Sequence, residues 1–157
     1  MPSKPKHDWT QFLLKIDIKA TPSRVFRAWT ISSEINKWFT YGGSIQAHKG
    51  GTFSQIFLDG TTFDSEVLAV RKNSLLRFTF GKVEKVEVKI KKTRTGAECW
   101  LKQYDLKTGP SDKWNMHMGC RIGWTFFLAN LKAYLEHGVD LRSQDPKKTW
   151  KEHYINS

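Results

Sequence analysis

The sequence contains only two cysteines, Cys99 and Cys120, among its 157 residues. Cys99 falls in a predicted strand and Cys120 on the apolar face of a predicted helix, where a thiol packs as a small hydrophobic side chain. Two cysteines in such positions are more typical of a reducing compartment than of a disulfide framework. We therefore expect both thiols to be reduced and structural.

Long hydrophobic runs are also missing. No apolar stretch approaches the roughly 20 residues that a helix needs to cross a membrane, and the polar residues 1–8 do not resemble a signal peptide. We therefore expect no membrane span and a cytoplasmic location. The length of 157 residues and the 39% hydrophobic content predict a single globular domain over residues 9–141. Residues 1–8 and 142–157 are predicted polar tails, and Trp150 and Tyr154 leave it open whether the second tail docks or frays.

Sequence signatures of catalysis and metal binding are absent. The sequence has neither a nucleophile elbow nor a glycine-rich phosphate loop. Met116, His117, Met118 and Cys120 are soft metal ligands, but in a helix the two methionines point to nearly opposite sides. No second His or Cys pair stands at ligand spacing elsewhere. We expect no metal, no cofactor and no catalytic residue.

Acidic residues are few, since 15 Asp and Glu oppose 26 Lys and Arg and leave a formal net charge of +11. With such a charge, nucleic acid or an anionic surface must be considered as a partner. The clearest cluster of lysines, within residues 85–92, alternates with apolar residues and is typical of the solvated face of a strand. The seven tryptophans mostly fall at core or motif positions and are not interleaved with this cluster. We therefore do not expect nucleic-acid binding.

Alternating apolar and polar residues predict a first strand from Trp9 to Lys19. Two short helices follow, one starting at Thr21-Pro22 and one at Ser32 or Ser33. Glycine-containing turns then separate six further amphipathic strands, which is typical of an antiparallel meander. Their predicted bounds are Ser44 to Ala47, Thr52 to Leu58, Thr61 to Arg71, Leu75 to Phe80, Glu84 to Lys92 and Ala97 to Asp105.

The longest predicted element is a helix from about Lys113 to His137, with Ser111 or Asp112 as its N-cap and Gly138 as its left-handed terminator. One stripe of this helix is bulky and apolar, which predicts packing along its whole length. The stripe consists of Cys120, Trp124, Phe127, Leu128, Leu131, Tyr134 and Leu135. The predicted fold is therefore α+β, a six- or seven-stranded antiparallel sheet curled around this helix.

Short motifs on these elements are similar to those of a known family. They are Ala20-Thr21-Pro22 with Val25-Phe26-Arg27-Ala28-Trp29, Lys37-Trp38-Phe39, Gly50-Gly51-Thr52-Phe53, and Gly123-Trp124 followed by Leu128 and Leu131-Lys132-Ala133-Tyr134-Leu135-Glu136. In this order they resemble the START-like, or SRPBCC, superfamily with its helix-grip fold. Within it the chain resembles the family named for the C-terminal domain of the activator of heat-shock-protein-90 ATPase. The resemblance implies an apolar cavity between the sheet and the C-terminal helix.

His117 and Arg121 are polar residues that fall on the predicted apolar stripe, one helical turn apart. The arginine fork suits a carboxylate or phosphate head group. Alternatively, the pair is internal and meets an acidic or amide residue on the sheet, or the side chains reach water. The candidate partners on the sheet are Gln55, Glu66, Gln103 and Asp105. The candidate ligand contacts are His117, Arg121, Trp124, Phe78, Phe53, Phe57, Trp38 and Val88.

The function that we expect is non-enzymatic binding of a small hydrophobic or amphipathic molecule, by a monomer or weak dimer. Two alternatives follow from the resemblance. One is a stress-linked protein that interacts with a chaperone, as the family's name implies. The other is a cyclase-like enzyme, an activity found elsewhere in the superfamily.

Overall fold

The computed structural model describes residues 2–157. Its seven strands form one antiparallel sheet with the strand order β1-β7-β6-β5-β4-β3-β2. Two short helices separate β1 from β2, and a long helical run follows β7. The strands are β1 (Phe12–Ile18), β2 (Ser44–Ile45), β3 (Thr52–Ile56), β4 (Thr62–Arg71), β5 (Leu75–Thr79), β6 (Lys85–Thr93) and β7 (Gly96–Tyr104). The predicted α+β helix-grip fold is confirmed, and the predicted strands differ from these bounds by only a few residues.

Period-two patterning places one face of the sheet in the core. In β6, Val86 and Val88 are fully buried, while Lys89 points to the opposite face of the strand and is exposed. In β1, Phe12 and Ile18 are buried and Leu13 faces outward. The alternation therefore fixes which side of the sheet receives the helices.

The two short helices are α1 (Pro22–Thr30) and α2 (Ser32–Ile35). The Thr21 side chain caps α1 by accepting a hydrogen bond from the Arg24 N–H at 3.2 Å, and Pro22 occupies the first turn, where a missing N–H costs nothing. Helix α1 and the turn that follows α2 each bring an aromatic ring to the core, since Trp29 and Trp38 are completely buried with ring centroids 4.6 Å apart.

The C-terminal helical run begins earlier and less regularly than the sequence predicts. It consists of α3 (Pro110–Asp112), a π-helical turn (Lys113–Met118) and α4 (Gly119–His137). The predicted caps Ser111 and Asp112 are wrong, because Gly109 holds the N-cap position without a side-chain bond and Pro110 starts the helix. The end is as predicted, since Gly138 adopts a left-handed conformation with φ of 66°.

The C-terminal half of α4 belongs to the hydrophobic core. Leu131 is fully buried and Leu128 nearly so. Buried Asn130 interrupts the apolar surface, but its side chain is satisfied, since Nδ2 donates to the Trp38 carbonyl at 2.8 Å and Oδ1 accepts from the Leu141 N–H at 2.7 Å. Tyr134 and Leu135 are only half-buried, so packing weakens over the last turn.

Residues 142–157, which we call the C-terminal segment, lie against the domain. Buried Arg142 donates to the carbonyl oxygens of Thr40 and Asn36 at 2.8 and 2.9 Å and pairs with Asp140 at 2.9 Å. Within residues 2–157, no helix combines the length and the apolar character that a membrane crossing requires.

Candidate functional site

A cavity of about 290 Å³ lies between the β3–β4 hairpin, the first half of α4 and the C-terminal segment. Phe57 and Phe63 contribute the hairpin wall, and Trp124 and Phe127 contribute the helix wall. Trp150 of the C-terminal segment also lines it. Its volume is close to the lower end of the range for small-molecule sites, about 300–1,000 Å³.

The walls of the cavity are mostly aromatic rings that hold one another in place. Phe39 stacks on Trp124 with a centroid distance of 5.0 Å and meets Phe127 edge-on at 4.8 Å. Phe63 stacks on Phe80 at 5.3 Å. Such ring pairs stabilise the folded protein by more than the burial of their surface alone. The ring positions are therefore fixed, and the cavity is largely preformed.

Two glycines of the helix make room for the cavity. Gly119 and Gly123 stand one turn apart on the face that lines it. A methyl group added at Gly123 would meet no atom within 4 Å, and one added at Gly119 would meet only the Trp114 carbonyl at 3.5 Å. A larger side chain at Gly123 would therefore enter the cavity without displacing the backbone.

Two residues of the helix wall, Trp124 and Cys120, also contact buried Gln103 of β7, which does not itself line the cavity. Trp124 donates its indole N–H to Oε1 of buried Gln103 at 2.9 Å. The Gln103 amide also lies beside the thiol of Cys120, which lines the cavity. Burial raises the pKa of Cys120 to about 11 despite the amide, so the thiol is neutral near pH 7.

Asp59 and Thr61 bring polar groups to the hairpin edge of the cavity. Partial burial works against ionisation of Asp59, but hydrogen bonding from Thr61 and the charge of Lys151 hold its pKa below the usual value. A negative charge therefore sits at this edge near neutral pH.

The predicted ligand contacts separate into two groups in the structure. Trp124 and Phe57 line the cavity. The other four aromatic or aliphatic residues are completely buried in the solid core and are not among the cavity lining; they are Phe78, Phe53, Trp38 and Val88. The core under the middle of α4 is thus filled, and the free space is displaced toward the β3–β4 hairpin.

The polar pair is not brought together. His117 is buried, but its Nδ1 lies 3.1 Å from the Trp9 carbonyl oxygen and its Nε2 lies 3.0 Å from Nε2 of His7. It therefore packs under the N-terminal residues rather than in the cavity. Arg121 is exposed, so its predicted position on the covered stripe is wrong. The reason is that Arg121 precedes Trp124 by three residues of the regular helix α4 and so stands about 60° around the helix from it, at the edge of the stripe.

Several lining residues were missed by sequence reasoning. Phe63, Phe126, Trp150 and Ile155 line the cavity but were not candidates. The signal that could have pointed to this end of the helix is the pair of glycines one turn apart beside Cys120. No such signal exists for Trp150 and Ile155, because only the path of the C-terminal segment brings them there. Among residues 2–157, no three His, Cys, Asp or Glu side chains come together to hold a metal ion.

The sequence profile of the family described as "Activator of Hsp90 ATPase homolog 1-like protein" matches residues 19–136. The chain belongs to this family. The matched residues run from the end of β1 almost to the end of α4, so they include most of the cavity wall but not the C-terminal segment. A search among curated proteins gave no match.

Solved structures of similar fold come from several bacteria. Protein SSP2350 from Staphylococcus saprophyticus is 22% identical with a TM-score of 0.74, and the match covers 85% of this chain and 96% of that one. Protein MLL2253 from Mesorhizobium loti is 22% identical with a TM-score of 0.72, covering 82% and 98%. The Aha1 dimer from Colwellia psychrerythraea is 20% identical with a TM-score of 0.71, covering 82% and 97%. Such likeness shows the fold alone.

Proposed function

We propose that this protein binds a small hydrophobic or amphipathic molecule in the cavity between the β3–β4 hairpin, α4 and the C-terminal segment. The observation that carries the proposal is a cavity of about 290 Å³ whose walls are largely aromatic. Apolar walls with a few polar groups are the usual composition of small-molecule sites. Phe57 and Trp124 are the predicted contacts that we retain in this proposal.

The chemistry of the wall favours binding over catalysis. Cys120 is the nucleophilic side chain that lines the cavity beside Thr61 and Ser157, and its raised pKa of about 11 keeps it in the unreactive thiol form. No histidine is among the residues that line the cavity. A cyclase-like enzyme would need a positioned acid or base, for which Asp59 at the edge is the available group.

The test is to fill the cavity from the helix side. Gly123→Leu places a branched side chain into the free space, and its control, Ala129→Leu, adds the same side chain at an exposed position of α4. The probe is tetralin, a ten-carbon bicyclic hydrocarbon, and binding is followed by NMR through the indole N–H of Trp124. We expect wild type and Ala129→Leu to bind equally and Gly123→Leu to lose binding at least tenfold. Equal binding by Gly123→Leu, or no binding by wild type, would overturn the proposal.

A chaperone partner is the second candidate, and the description of the family is the observation that favours it. The two functions make different demands on the protein surface. A chaperone partner should be captured from the native host without any added ligand, and Gly123→Leu should leave that capture unchanged, because the substituted position lies inside the cavity.

A further inference from the structure

The cavity is lined by a single charged side chain, and its charge is negative. Among residues 2–157, Asp59 is the only lining side chain that is ionised near neutral pH, since Cys120 is a neutral thiol. In the same part of the chain, no lysine, arginine or histidine lines the cavity, although the sequence contains 26 Lys and Arg. The charge at the cavity therefore has the opposite sign to the net charge of the protein.

Asp59 is held in place by the turn of the β3–β4 hairpin. Its Oδ1 accepts a hydrogen bond from the Thr61 N–H at 2.9 Å. Lys151 of the C-terminal segment is near enough to act on this carboxylate through its charge. However, Asp59 forms no ion pair with any Lys or Arg of residues 2–157. The carboxylate is therefore available to a cationic group that enters the cavity.

Aromatic rings line the cavity on the same side as this carboxylate. Phe57 and Phe63 flank Asp59 in the hairpin, and their ring centroids are 5.8 Å apart. Trp150 adds an indole ring from the C-terminal segment. The face of an aromatic ring attracts a cation within about 6 Å of its centroid. A carboxylate and ring faces in one cavity are thus complementary to an ammonium group with an apolar body.

The cations of the protein itself leave these rings free. Lysines cover aromatic rings on other surfaces, as Lys15 and Lys91 do on Trp100, each with Nζ 3.6 Å from the ring centroid. Within residues 2–157, no lysine or arginine lies over a ring that lines the cavity. A cation from outside can therefore use them.

We propose that the cavity binds an amphipathic cation, an aromatic molecule with one ammonium group that lies beside Asp59 while its apolar body contacts the aromatic walls. The inference rests on the proposed function and names its ligand class. It reverses the sign of the head group that the sequence suggested. Arg121, the cation offered for an anionic head group, is exposed and does not line the cavity, and Asp59 would repel an anion at this edge.

The test compares 2-aminotetralin, a cation near pH 7, with tetralin, which has the same bicyclic body without the ammonium group. Dissociation constants are measured by NMR at physiological salt, which screens the net charge of the protein beyond about 8 Å. The variant is Asp59→Asn, whose amide oxygen can still accept the hydrogen bond from Thr61. We expect the preference for 2-aminotetralin over tetralin to fall about three- to tenfold, as for a partly solvated charged contact. Tetralin itself should bind both proteins with similar affinity.

Two further variants separate a local effect from a change in net charge. Lys151→Met removes the positive charge that acts on Asp59, so the preference for 2-aminotetralin should increase. Asp64→Asn removes a negative charge from an exposed residue of β4 that does not line the cavity, so the preference should equal that of wild type.

Three results would overturn the inference while the proposed function stands. They are an unchanged preference in Asp59→Asn or Lys151→Met, an equal decrease in Asp64→Asn, and binding of tetralin but not 2-aminotetralin by wild type. Failure of wild type to bind either probe would overturn the proposed function as well.

Discussion

Nη1 of Arg142 donates a hydrogen bond of 2.8 Å to the carbonyl oxygen of Thr40, joining residues 102 positions apart in the sequence. Both partners are buried. This contact, with the one to Asn36, anchors the start of the C-terminal segment whose Trp150 and Ile155 line the cavity. The wall of the candidate site thus depends on an arginine that lies outside the matched family region.

Replacing Arg142 should destabilise the protein and loosen the cavity. Arg142→Met leaves the carbonyl oxygens of Thr40 and Asn36 without their donor, and we expect a loss of about 1.5–3 kcal/mol in the free energy of unfolding. Urea denaturation measures it, with Lys148→Met in the exposed part of the segment as the control. A loss below about 0.5 kcal/mol would contradict the anchoring role.

Leu131→Ala tests the packing of α4 on the sheet. Leu131 is fully buried, so we expect the variant to lose about 2–5 kcal/mol in the free energy of unfolding. Leu141→Ala is the matched control, because this leucine is 45% exposed and its truncation should cost much less. Similar losses for the two variants in denaturant melts would refute the assignment of Leu131 to the core.

His117 should make stability depend on pH. Burial lowers its pKa below the usual value of 6.5, and the charges of His7 and Arg121 act in the same direction, against a backbone bond to Trp9 and the charge of Asp8. As pH falls, this histidine is therefore protonated at a higher pH in the unfolded chain than in the folded protein. The free energy of unfolding should then decrease as pH drops below about 6.5.

The measurement is thermal unfolding of wild type and His117→Gln at several pH values between 5 and 8. Gln retains a donor and an acceptor but does not titrate, so the stability of the variant should decrease less at low pH than that of wild type. The exposed His137 provides the control variant, His137→Gln, whose stability should decrease as much as that of wild type. Parallel pH profiles for wild type and His117→Gln would rule the prediction out.

The two thiols should differ in reactivity. Burial raises the pKa of Cys99 to about 12 and that of Cys120 to about 11. Cys99 is completely buried and should react with iodoacetamide only on unfolding, whereas Cys120 lines the cavity and is partly exposed. Modification of Cys120 should accelerate about tenfold per pH unit, because its thiolate fraction rises in that proportion well below its pKa.

Mass spectrometry of the labelled protein identifies the modified cysteine, and saturating tetralin should slow the modification of Cys120. The Cys120→Ser variant should remain unlabelled while folded. Labelling of Cys99 at the same rate as Cys120 would show that burial does not separate them.

Local rules account for the parts of the fold that the sequence predicts well. The alternation in β1 and β6 sets the inner face of the sheet, because neighbouring side chains in a strand point to opposite sides. Gly138 ends α4 because a left-handed residue closes the helix at low cost. Trp124 and Phe57 could be chosen as cavity residues because the family resemblance places the cavity between sheet and helix.

Tertiary structure alone decided where the free space lies and which polar groups face it. The π-helical turn at Lys113–Met118 contains His117, which packs against Trp9 and His7 and not in the cavity, and no local pattern in the sequence predicts such a turn. Gln103 and Trp124 are 21 residues apart, so their bond exists only once β7 and α4 pack together. Patterning determines which residues are buried, but the size and position of a cavity follow from how completely the buried side chains fill the space between elements.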